Sequence, residues 1–377
     1  MPTITTIECH VVEQRLARAF GFSQWNYERR SACLVKVVAA DGTYGWGEGY
    51  GPAGVVKAGV EMLRPLLLGR NPVCTGMLWQ LLYLRTLDYA RSGVLMAAVS
   101  ALDVALWDLK GKLLGQPVHV LLGGKRRDAV PVYATGMYFT AGGTQAEKLA
   151  SEAEGYAAQG FRAVKMKVGC SPIEDVRNVR AVRSAIGPEI DLMIDANHAY
   201  NRAEARALCH ELEPMRIAWF EEPLSPEDYA GYAALRQQTS IPIAGGECEY
   251  LVHGFKRLLE NQCVDIAQPD ICAAGGLTEA LRIAALTRAH HVELTPHCWG
   301  TGIAFAAALH FSATLDPVPG RQVARESFLE MDRTENPLRD RLTLPVFKVE
   351  GGSVTAPDAP GLGVDVDLML LEKFAIH

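Results

Sequence analysis

The apolar and polar positions of the chain follow two different rhythms, and the first is typical of a small sheet. Residues 3–12 and 32–39 are apolar-rich segments of strand length. Between the second segment and Tyr44-Gly-Trp-Gly-Glu48, the residues Asp41-Gly42-Thr43 form a hairpin turn signal. We therefore expect a small antiparallel sheet at the start of the chain.

From about Pro52 the pattern becomes helical. The clearest predicted helix is Val94–Leu114, in which apolar residues recur every three or four positions before Gly115 ends it. A run of strands followed by a run of helices indicates an α+β unit, and we assign residues 1–125 to it.

Beyond this unit the chain repeats a short apolar strand, a polar residue at its end and an amphipathic helix. In the clearest repeat a strand at Arg162–Val168 precedes Ser171–Glu174, which predicts a helix start with a capping box. The further predicted strands are Ile190–Asp195, Ile217–Glu221, Ile241–Ala244, Val264–Gln268 and Val292–Thr295, with helices starting near Asn201, Pro226, Tyr250, Leu277 and Gly302. Strands that alternate with helices predict a parallel sheet.

The spacing of the repeats indicates which parallel fold they form. Polar residues at the ends of six successive predicted strands recur every 23 to 28 residues. Such a regular step favours a TIM-type barrel over an open doubly wound sheet, which would carry a glycine-rich phosphate loop on an early strand. We therefore expect an α/β barrel over residues 126–330, with residues 331–377 returning to the first domain.

Composition limits the possible partners. The net charge is −6 and charged residues make up 21% of the chain, which does not favour a nucleic acid or an acidic membrane surface as partner. The N-terminus lacks a signal-peptide pattern, and no apolar window approaches the ~18 residues of a membrane span. Nine cysteines without a CxxC pair predict neither a disulfide framework nor a zinc cluster, so we expect a cytoplasmic protein.

Three carboxylates end three consecutive predicted strands, in Leu-Met-Ile-Asp195, Ala-Trp-Phe-Glu221 and Ala-Gly-Gly-Glu247. The C-terminal strand ends of a barrel meet at one mouth, so these acids are expected to lie close together. Clustered anions with only oxygen ligands select a hard cation, Mg²⁺ by default and Mn²⁺ as a substitute. Each acid alone is better explained as a helix cap or a solvated loop acid, but recurrence on three strands favours a metal site.

Lys165 and Lys167 lie two residues apart on a predicted strand, so their side chains point to the same face. Two lysines inside a packed barrel core would be very unfavourable, which leaves the polar mouth as their expected place. There, like-charge repulsion and partial desolvation are expected to lower the pKa of each lysine, and such a lysine acts as a base at neutral pH. Without this context, two outward-facing strand lysines would explain the motif better.

A second acid/base pair is expected at the next strand ends. His297 ends the seventh predicted strand and Asp270 ends the sixth, so the carboxylate can accept a bond from the imidazole and raise its pKa. The alternative is a buried structural histidine beside a helix-capping aspartate. His198 follows Asp195 closely enough to approach the same site.

Seven motifs occur in order along essentially the whole chain: Asp41-Gly-x-x-Gly-Trp-Gly-Glu48, Lys165-x-Lys167, Asp195-Ala-Asn197, Phe220-Glu-Glu-Pro223, Gly245-Gly-Glu247, Gln268-Pro-Asp270 and Pro296-His297. With this set the chain resembles the enolase superfamily, mandelate racemase subgroup. The resemblance implies an α+β capping domain over a (β/α)7β barrel, an essential Mg²⁺, a small carboxylate substrate that loses its α-proton, and a homo-oligomer.

Carried over position by position, the resemblance also implies roles for single residues. Asp195, Glu221 and Glu247 hold the metal, Lys167 and the His297–Asp270 pair are the bases, and Lys165 touches the substrate carboxylate. The family's acid at the end of the eighth strand is Glu326 or Glu330, and the motif Glu330-Met-Asp-Arg-Thr-x-Asn-Pro337 favours Glu330. Asn197 is a further expected substrate contact.

The resemblance narrows the reaction. Muconate-cycloisomerase and dipeptide-epimerase relatives carry a lysine where this chain has Asp270, whereas the Asp195-Ala-Asn-His198 and Pro296-His-Cys-Trp-Gly-Thr301 segments resemble acid-sugar enzymes, most of all the galactarolactone cycloisomerase family. We therefore expect a cycloisomerase or dehydratase of an acid sugar or its lactone, with Lys167 or His297 as base. The alternatives are a racemase or epimerase of a 2-hydroxy or amino acid, and a barrel protein without activity.

The segment around Gly21–Arg30 is expected to be a loop over the substrate, as it is in this family. Trp25, Tyr27 and Arg29 are the predicted contacts, and Arg29 together with Arg30 is placed to pair with a distal carboxylate. An ordinary hairpin surface is the alternative. If both arginines lie away from the metal site, the preference for a diacid loses its support.

Overall fold

The computed structural model of the chain describes residues 2–317, 322 and 327–376. It begins with the expected antiparallel sheet, in the order β1-β2-β3. These strands are β1 (Ile4–Gly21), β2 (Asn26–Ala39) and β3 (Tyr44–Gly49). The Asp41 side chain accepts a 2.9 Å bond from the Thr43 backbone N–H, which stabilises the predicted turn.

The first hairpin is longer than the pattern predicts. Gly21 pairs with Asn26 and Phe20 with Tyr27, so the expected loop is mostly strand, with a register shift between Arg15 and Phe20. Backbone pairing continues there because the segment's polar and aromatic side chains are compatible with a two-stranded ribbon. The hairpin therefore reaches the barrel as a paired arm with a short turn at its tip.

Four helices follow this sheet, and the first and third of them pack against it. They are α1 (Ala53–Leu63), α2 (Thr75–Thr86), α3 (Val94–Leu114) and the single turn α4 (Val118–Leu121). The predicted bounds of α3 are confirmed, and it ends at Gly115, whose φ of 63° is a conformation that glycine adopts without strain.

The second part of the chain contains eight parallel strands in a single nine-stranded sheet. They are β4 (Ala129–Thr135), β5 (Ala163–Lys167), β6 (Asp191–Asp195), β7 (Ile217–Glu221), β8 (Ile243–Gly245), β9 (Ile266–Ala267), β10 (Glu293–Leu294) and β11 (Leu329–Asp332). The order is β10-β9-β8-β7-β6-β5-β4-β11, so the last strand returns beside the first. This order is that of a barrel whose remaining seam lies between β10 and β11.

A helix follows each of the first seven barrel strands. These helices are α5 (Gln145–Ala158), α6 (Pro172–Ile186), α7 (Arg202–Leu212), α8 (Tyr229–Gln238), α9 (Leu251–Glu260), α10 (Gly276–Ala289) and α11 (Gly302–Ala313). The predicted fold class, a (β/α)7β barrel with an α+β cap, is confirmed. The start of α8 lies later than predicted, because Asp228 caps it by accepting the Gly231 N–H.

The cap of α6 differs in one detail from the predicted capping box. Ser171 accepts a bond from the Glu174 N–H as expected. The Ser171 N–H, however, donates to Asp175 at 3.1 Å instead of to Glu174. A buried Asp175 takes this place because it also accepts a bond from the Tyr200 hydroxyl.

The last part of the chain contacts both earlier parts. It contains α12 (Pro337–Arg341), β12 (Thr343–Leu344), β13 (Ser353–Thr355), β14 (Asp365–Val366) and α13 (Leu368–Phe374). Strand β13 pairs antiparallel with β4 of the barrel, and the Ile376 N–H donates to Val11 in β1. The predicted return to the first sheet is therefore present, and the predicted domain limits stay a prediction.

Two buried carboxylates of the cap are bonded to the N-terminal ends of barrel helices. Asp103 in α3 accepts bonds from the Thr278 N–H at 2.9 Å and hydroxyl at 2.6 Å, in the first turn of α10. Glu48 in β3 accepts bonds from the Thr301 N–H at 3.0 Å and the Ala304 N–H at 3.2 Å, at the start of α11. Both contacts supply an acceptor to donors in the first turn of a helix, where backbone N–H groups have no partner within the helix.

Among the described residues, no helix combines the length and apolar character that a bilayer crossing requires.

Candidate active site

The barrel register brings the predicted site residues to one mouth. Lys167, the last residue of β5, lies opposite Asp195, and Asp195 lies opposite Glu221 in the next strand. Glu247 follows β8 by two residues. The strand ends therefore place an amine and three carboxylates side by side.

Asp195, Glu221 and Glu247 each direct one oxygen to a common point, and these oxygens lie within 4.8 Å of one another. Asp195 is held by the Asn197 N–H at 2.9 Å, and Glu221 by the Gln268 amide at 2.7 Å. Burial and the neighbouring acids raise the pKa of Glu221 to about 7 against the opposing effect of Lys165. An excess of negative charge on oxygen ligands alone is the donor set that suits a hard divalent cation.

The two lysines lie in the mouth, but their protonation differs from the expectation. The Lys165 ammonium contacts Glu221 at 2.6 Å and Glu330 at 2.9 Å, and Lys167 contacts Asp195 at 2.5 Å. Burial lowers the pKa of each lysine, but the surrounding carboxylates outweigh burial and the pKa of both is raised. The expected depression of the lysine pKa values is corrected here, because carboxylates contact each amine and their charges outweigh burial.

His297 and Asp270 form the expected pair. Nδ1 of His297 lies 2.6 Å from Asp270 Oδ2, and the opposite ring nitrogen lies 3.5 Å from Glu247. Burial lowers the pKa of His297, but the charges of Glu247, Glu330 and Asp270 raise it to about 10. Asp270 also accepts a bond from the Cys272 N–H through its other oxygen, so it caps a turn as well as orienting the imidazole.

Glu330 lies in β11 and occupies the same mouth. It accepts bonds from the Thr135 hydroxyl at 2.6 Å and from the Cys298 N–H at 3.0 Å. Burial acts to raise the pKa of Glu330, but Lys165 and His297 outweigh it and lower the pKa to about 2. The alternative acid, Glu326, lies outside the described residues.

These groups line one small cavity. Its walls are formed by Phe22, Tyr27, Tyr50, Tyr138, Lys165, Lys167, Asn197, Glu247, His297, Trp299 and Glu330. Asn197 accepts a 2.8 Å bond from Lys167 through its side-chain oxygen, so the predicted substrate contact also orients an amine. The floor of the cavity is charged and the upper walls are aromatic.

The tip of the first hairpin covers this cavity and is bonded to the barrel. The Ser23 hydroxyl donates to the Ala196 carbonyl at 2.8 Å, and the Gln24 amide donates to the Asn197 carbonyl at 2.7 Å. Gly21 and Phe139 exchange two backbone bonds. The predicted cover is therefore present, as a paired arm anchored to the loops that follow β4 and β6.

The predicted contacts within the arm divide into two groups. Tyr27 lines the cavity, whereas Trp25 is 63% exposed and is not part of its walls. Arg29 is exposed and pairs with Glu13 at 2.7 Å, and buried Arg30 pairs with Asp332 at 3.1 Å. Both guanidinium groups are bound by carboxylates of the chain, which favours the alternative of an ordinary hairpin surface, and pairing with a distal substrate carboxylate stays a prediction.

Sequence reasoning did not assign Tyr50, Tyr138 or Trp299 to the site. Tyr138 follows β4, so the rule that found Asp195 would also have found it had the first barrel strand been placed. Trp299 stands two residues after His297, and its ring lies 3.9 Å from the Arg30 guanidinium. Tyr50 lies two residues after Glu48, the last residue of the capping-domain motif, and its ring packs against His297 with the ring centroids 5.4 Å apart.

Comparisons with known proteins agree with this geometry. A family model described as enolase C-terminal domain-like matches residues 148–370. A second model, the N-terminal domain of mandelate racemase and muconate lactonizing enzyme, matches residues 6–123. The two matches cover the barrel and the cap.

Individual relatives are similar over almost the full length. D-galactarolactone cycloisomerase of Agrobacterium fabrum is 41% identical over 98% of this chain and 98% of its own. The crystal structure of 3,6-anhydro-D-galactonate cycloisomerase from Zobellia galactanivorans has 52% identity and a TM-score of 0.91, with 100% of both chains covered. A racemase from Streptomyces coelicolor A3(2), solved with bound magnesium, has 30% identity and a TM-score of 0.89 over 99% of this chain and 100% of its own.

Proposed function

Because the chain is an enzyme of the mandelate racemase and muconate lactonizing enzyme family of the enolase superfamily, we propose that it opens the ring of a cyclic sugar acid. The C–H bond α to the carboxylate breaks first, and its electrons form an enediolate. The C–O bond at the β-carbon then breaks, the ring oxygen takes up a proton, and the enol tautomerises to a 2-keto-3-deoxy acid. All atoms are retained, so the reaction is an isomerisation.

The observation that carries this proposal is the meeting of two acid/base groups in one cavity. Lys167 and His297 both line it, together with Lys165 and Glu330. Proton removal and protonation of the departing oxygen each need a positioned group within reach of the substrate. A cavity with an amine and an imidazole supplies one group for each step.

The carboxylate triad is the proposed Mg²⁺ site, with Mn²⁺ as a substitute. Asp195, Glu221 and Glu247 offer three converging oxygens, which fits a cation that keeps open positions for other ligands. When bound, Mg²⁺ supplies positive charge that neutralises the triad and favours the carboxylate end of the substrate there. The magnesium bound in the Streptomyces racemase structure supports the same choice.

We assign Lys167 as the base and His297 as the acid because their partners differ. Lys167 is paired with Asp195, a member of the triad, and the negative charge of Asp195 raises the pKa of this lysine. A cation held by the triad would compensate that charge and so remove the cause of the raised pKa. His297 faces Glu247 of the triad but also Asp270 and Glu330, which lie outside it, so these two carboxylates still favour the protonated imidazole when the triad charge is compensated. Lys167 then accepts the α-proton, and the His297 imidazolium protonates the ring oxygen.

Lys165 has a different part in the reaction. Its ammonium is 1% exposed and already contacts two carboxylates, Glu221 and Glu330. A fixed positive charge at this place stabilises the second negative charge that develops when the enediolate forms. Because it needs no movement, this stabilisation is present at the moment of proton transfer.

The walls indicate a compact substrate with one carboxylate. Arg29 and Arg30 are occupied by Glu13 and Asp332, so no arginine lines the described cavity for a second carboxylate. Aromatic rings form most of the upper wall and suit the C–H faces of a ring better than an extended polyol. The compound after which the Zobellia cycloisomerase is named, 3,6-anhydro-D-galactonate, has this chemistry.

The test is a panel of acids incubated with the enzyme and Mg²⁺ in deuterated water. The panel contains 3,6-anhydro-D-galactonate, D-galactarolactone and open-chain aldonates, and the products are identified by NMR and mass spectrometry. We expect a 2-keto-3-deoxy product from the anhydro acid, with one deuteron from solvent at C3.

Each other outcome replaces the proposal with a defined alternative. Turnover of an open-chain aldonate alone identifies a dehydratase. Deuterium at Cα of recovered substrate without keto product identifies a racemase or epimerase. Preference for galactarolactone over the anhydro acid identifies a lactone cycloisomerase.

A further inference from the structure

A second cluster of metal-ligating side chains lies beside the carboxylate triad and has no part in the proposed reaction. It consists of His198, Glu222 and Cys248, and one ligand atom of each lies within 4.8 Å of the others. His198 Nε2 lies 3.1 Å from Glu222 Oε2 and 3.7 Å from Cys248 Sγ. The residues follow Asp195, Glu221 and Glu247 by three, one and one positions, so the same three loops carry both clusters.

The hydrogen bonding of His198 leaves a lone pair directed into the cluster. Its Nδ1 lies 3.3 Å from the Leu224 carbonyl, which only accepts bonds, so this nitrogen carries the hydrogen. In the neutral ring Nε2 is then an acceptor that faces Glu222 and Cys248. Metal-binding histidines are oriented in this way, with the other ring N–H bonded to a carbonyl or carboxylate.

Glu222 provides an independent indication that a cation is required. Its side chain is 2% exposed, and its Oε2 lies 3.1 Å from His198 Nε2, which donates no hydrogen bond to it when the ring hydrogen is on Nδ1. An unpaired buried carboxylate oxygen is costly unless a charge compensates it. This oxygen faces the lone pair of His198, so the two acceptors need a cation between them.

The separations agree with tetrahedral coordination. With Zn–N of about 2.0 Å, Zn–O of about 2.0 Å and Zn–S of about 2.3 Å, a tetrahedral ion requires N···O near ~3.3 Å and N···S near ~3.5 Å. The observed 3.1 Å and 3.7 Å are close to both values. Cys248 lies at the surface, so the fourth position is open to water.

We propose that His198, Glu222 and Cys248 form a second metal site, selective for Zn²⁺ or a similar borderline ion and separate from the Mg²⁺ site. The thiolate and imidazole favour such an ion, whereas Mg²⁺ prefers oxygen ligands alone. The two sites therefore discriminate between ions by donor type although they share three loops. Because His198, Glu222 and Cys248 lie in the loops that carry Asp195, Glu221 and Glu247, an ion in the second site restrains all three loops that hold the triad.

The test uses Co²⁺ as a spectroscopic probe on the full-length enzyme kept in excess Mg²⁺. We expect one equivalent of Co²⁺ to produce a thiolate-to-metal charge-transfer band and intense visible bands of a tetrahedral ion. One equivalent of Zn²⁺ should remove both. The Cys248→Ser variant should lack the charge-transfer band, and His198→Gln should bind Co²⁺ more weakly with the band retained at saturation.

The matched control is Cys74→Ser, because Cys74 is also exposed but lies in the capping domain. It should bind Co²⁺ as the unmodified enzyme does. Absence of a charge-transfer band in the unmodified enzyme at saturating Co²⁺ overturns the proposal without any variant. A band that persists in Cys248→Ser or disappears in Cys74→Ser also overturns it, and matching circular dichroism spectra show that each variant is folded.

Discussion

Glu48 offers the most direct test of how the cap is attached to the barrel. Its carboxylate is 3% exposed and accepts three kinds of bond at the start of α11, from the Thr301 N–H, the Thr301 hydroxyl and the Ala304 N–H. In Glu48→Ala these donors lose their acceptor at a cost of about 1–3 kcal/mol for each buried group. With partial rescue by water we expect a loss of about 3–5 kcal/mol in the free energy of unfolding.

The effect of Glu48 on the free energy of unfolding should also depend on pH, and the size of this dependence follows from the pKa of the carboxyl group. Burial raises the pKa of Glu48 to about 7 from 4.5, against the opposing effect of its hydrogen bonds. Between these values the folded protein binds the proton more tightly than the unfolded chain, so stability from Glu48 falls as pH rises from about 4.5 to 7. At ~1.4 kcal/mol per pKa unit, the change across the window is ~3 kcal/mol.

The assay is urea unfolding of the unmodified protein and Glu48→Gln at several pH values, followed by circular dichroism. Glu48→Gln keeps the shape but does not titrate, so the difference between the two proteins isolates this carboxylate. We expect the free energy of unfolding of the unmodified protein to fall relative to that of the variant as pH rises from 5 to 8. Glu61→Gln, a change at an exposed glutamate of the same domain, is the control and should show no such trend. A difference that is constant with pH would refute the reasoning.

Further predictions address the site and the barrel. Lys167→Met and His297→Asn should each lower kcat by about 10² to 10⁴, measured as keto-acid formation, while full activity in either removes that residue from the mechanism. Trp25→Ala and Arg29→Ala should leave kcat/KM within about twofold, and a larger loss would place them at the substrate. Chelation of divalent ions should abolish turnover and added Mg²⁺ restore it; turnover that survives chelation contradicts the triad assignment. Burial lowers the pKa of His310 to about 4, so stability should fall as pH drops from about 6.5 to 4 by up to ~3 kcal/mol, and His310→Gln should lack this dependence in urea unfolding.

Much of the barrel is predictable because its pattern is local. Strand β7 has the predicted bounds Ile217–Glu221, and α11 begins at the predicted Gly302. When a short apolar segment between a helix and a polar residue repeats along the chain, few structures other than a strand of a parallel sheet are compatible with it. The acids of the triad follow from the same rule, since strand ends of a barrel share one mouth.

The features that the sequence did not reveal depend on long-range partners. Arg29 pairs with Glu13, and this choice of partner depends on the hairpin register and not on the local pattern. The raised pKa of Lys165 depends on Glu221 and Glu330, which lie far away in the chain. The cluster containing Cys248 was also missed, because one cysteine with a distant histidine and glutamate has no recognisable spacing.

The seam of the barrel has a consequence for its motion. Strands β10 and β11 share no ladder among the described residues, and the 3.0 Å bond from the Cys298 N–H to Glu330 crosses the space between them. Glu330 also contacts Lys165. A single carboxylate therefore links the two strands at the open seam of the barrel and also lines the active-site cavity. Local opening of the barrel should therefore begin at the end of the seam that carries the active site. A bound substrate that orders Glu330 should slow amide hydrogen exchange at Cys298.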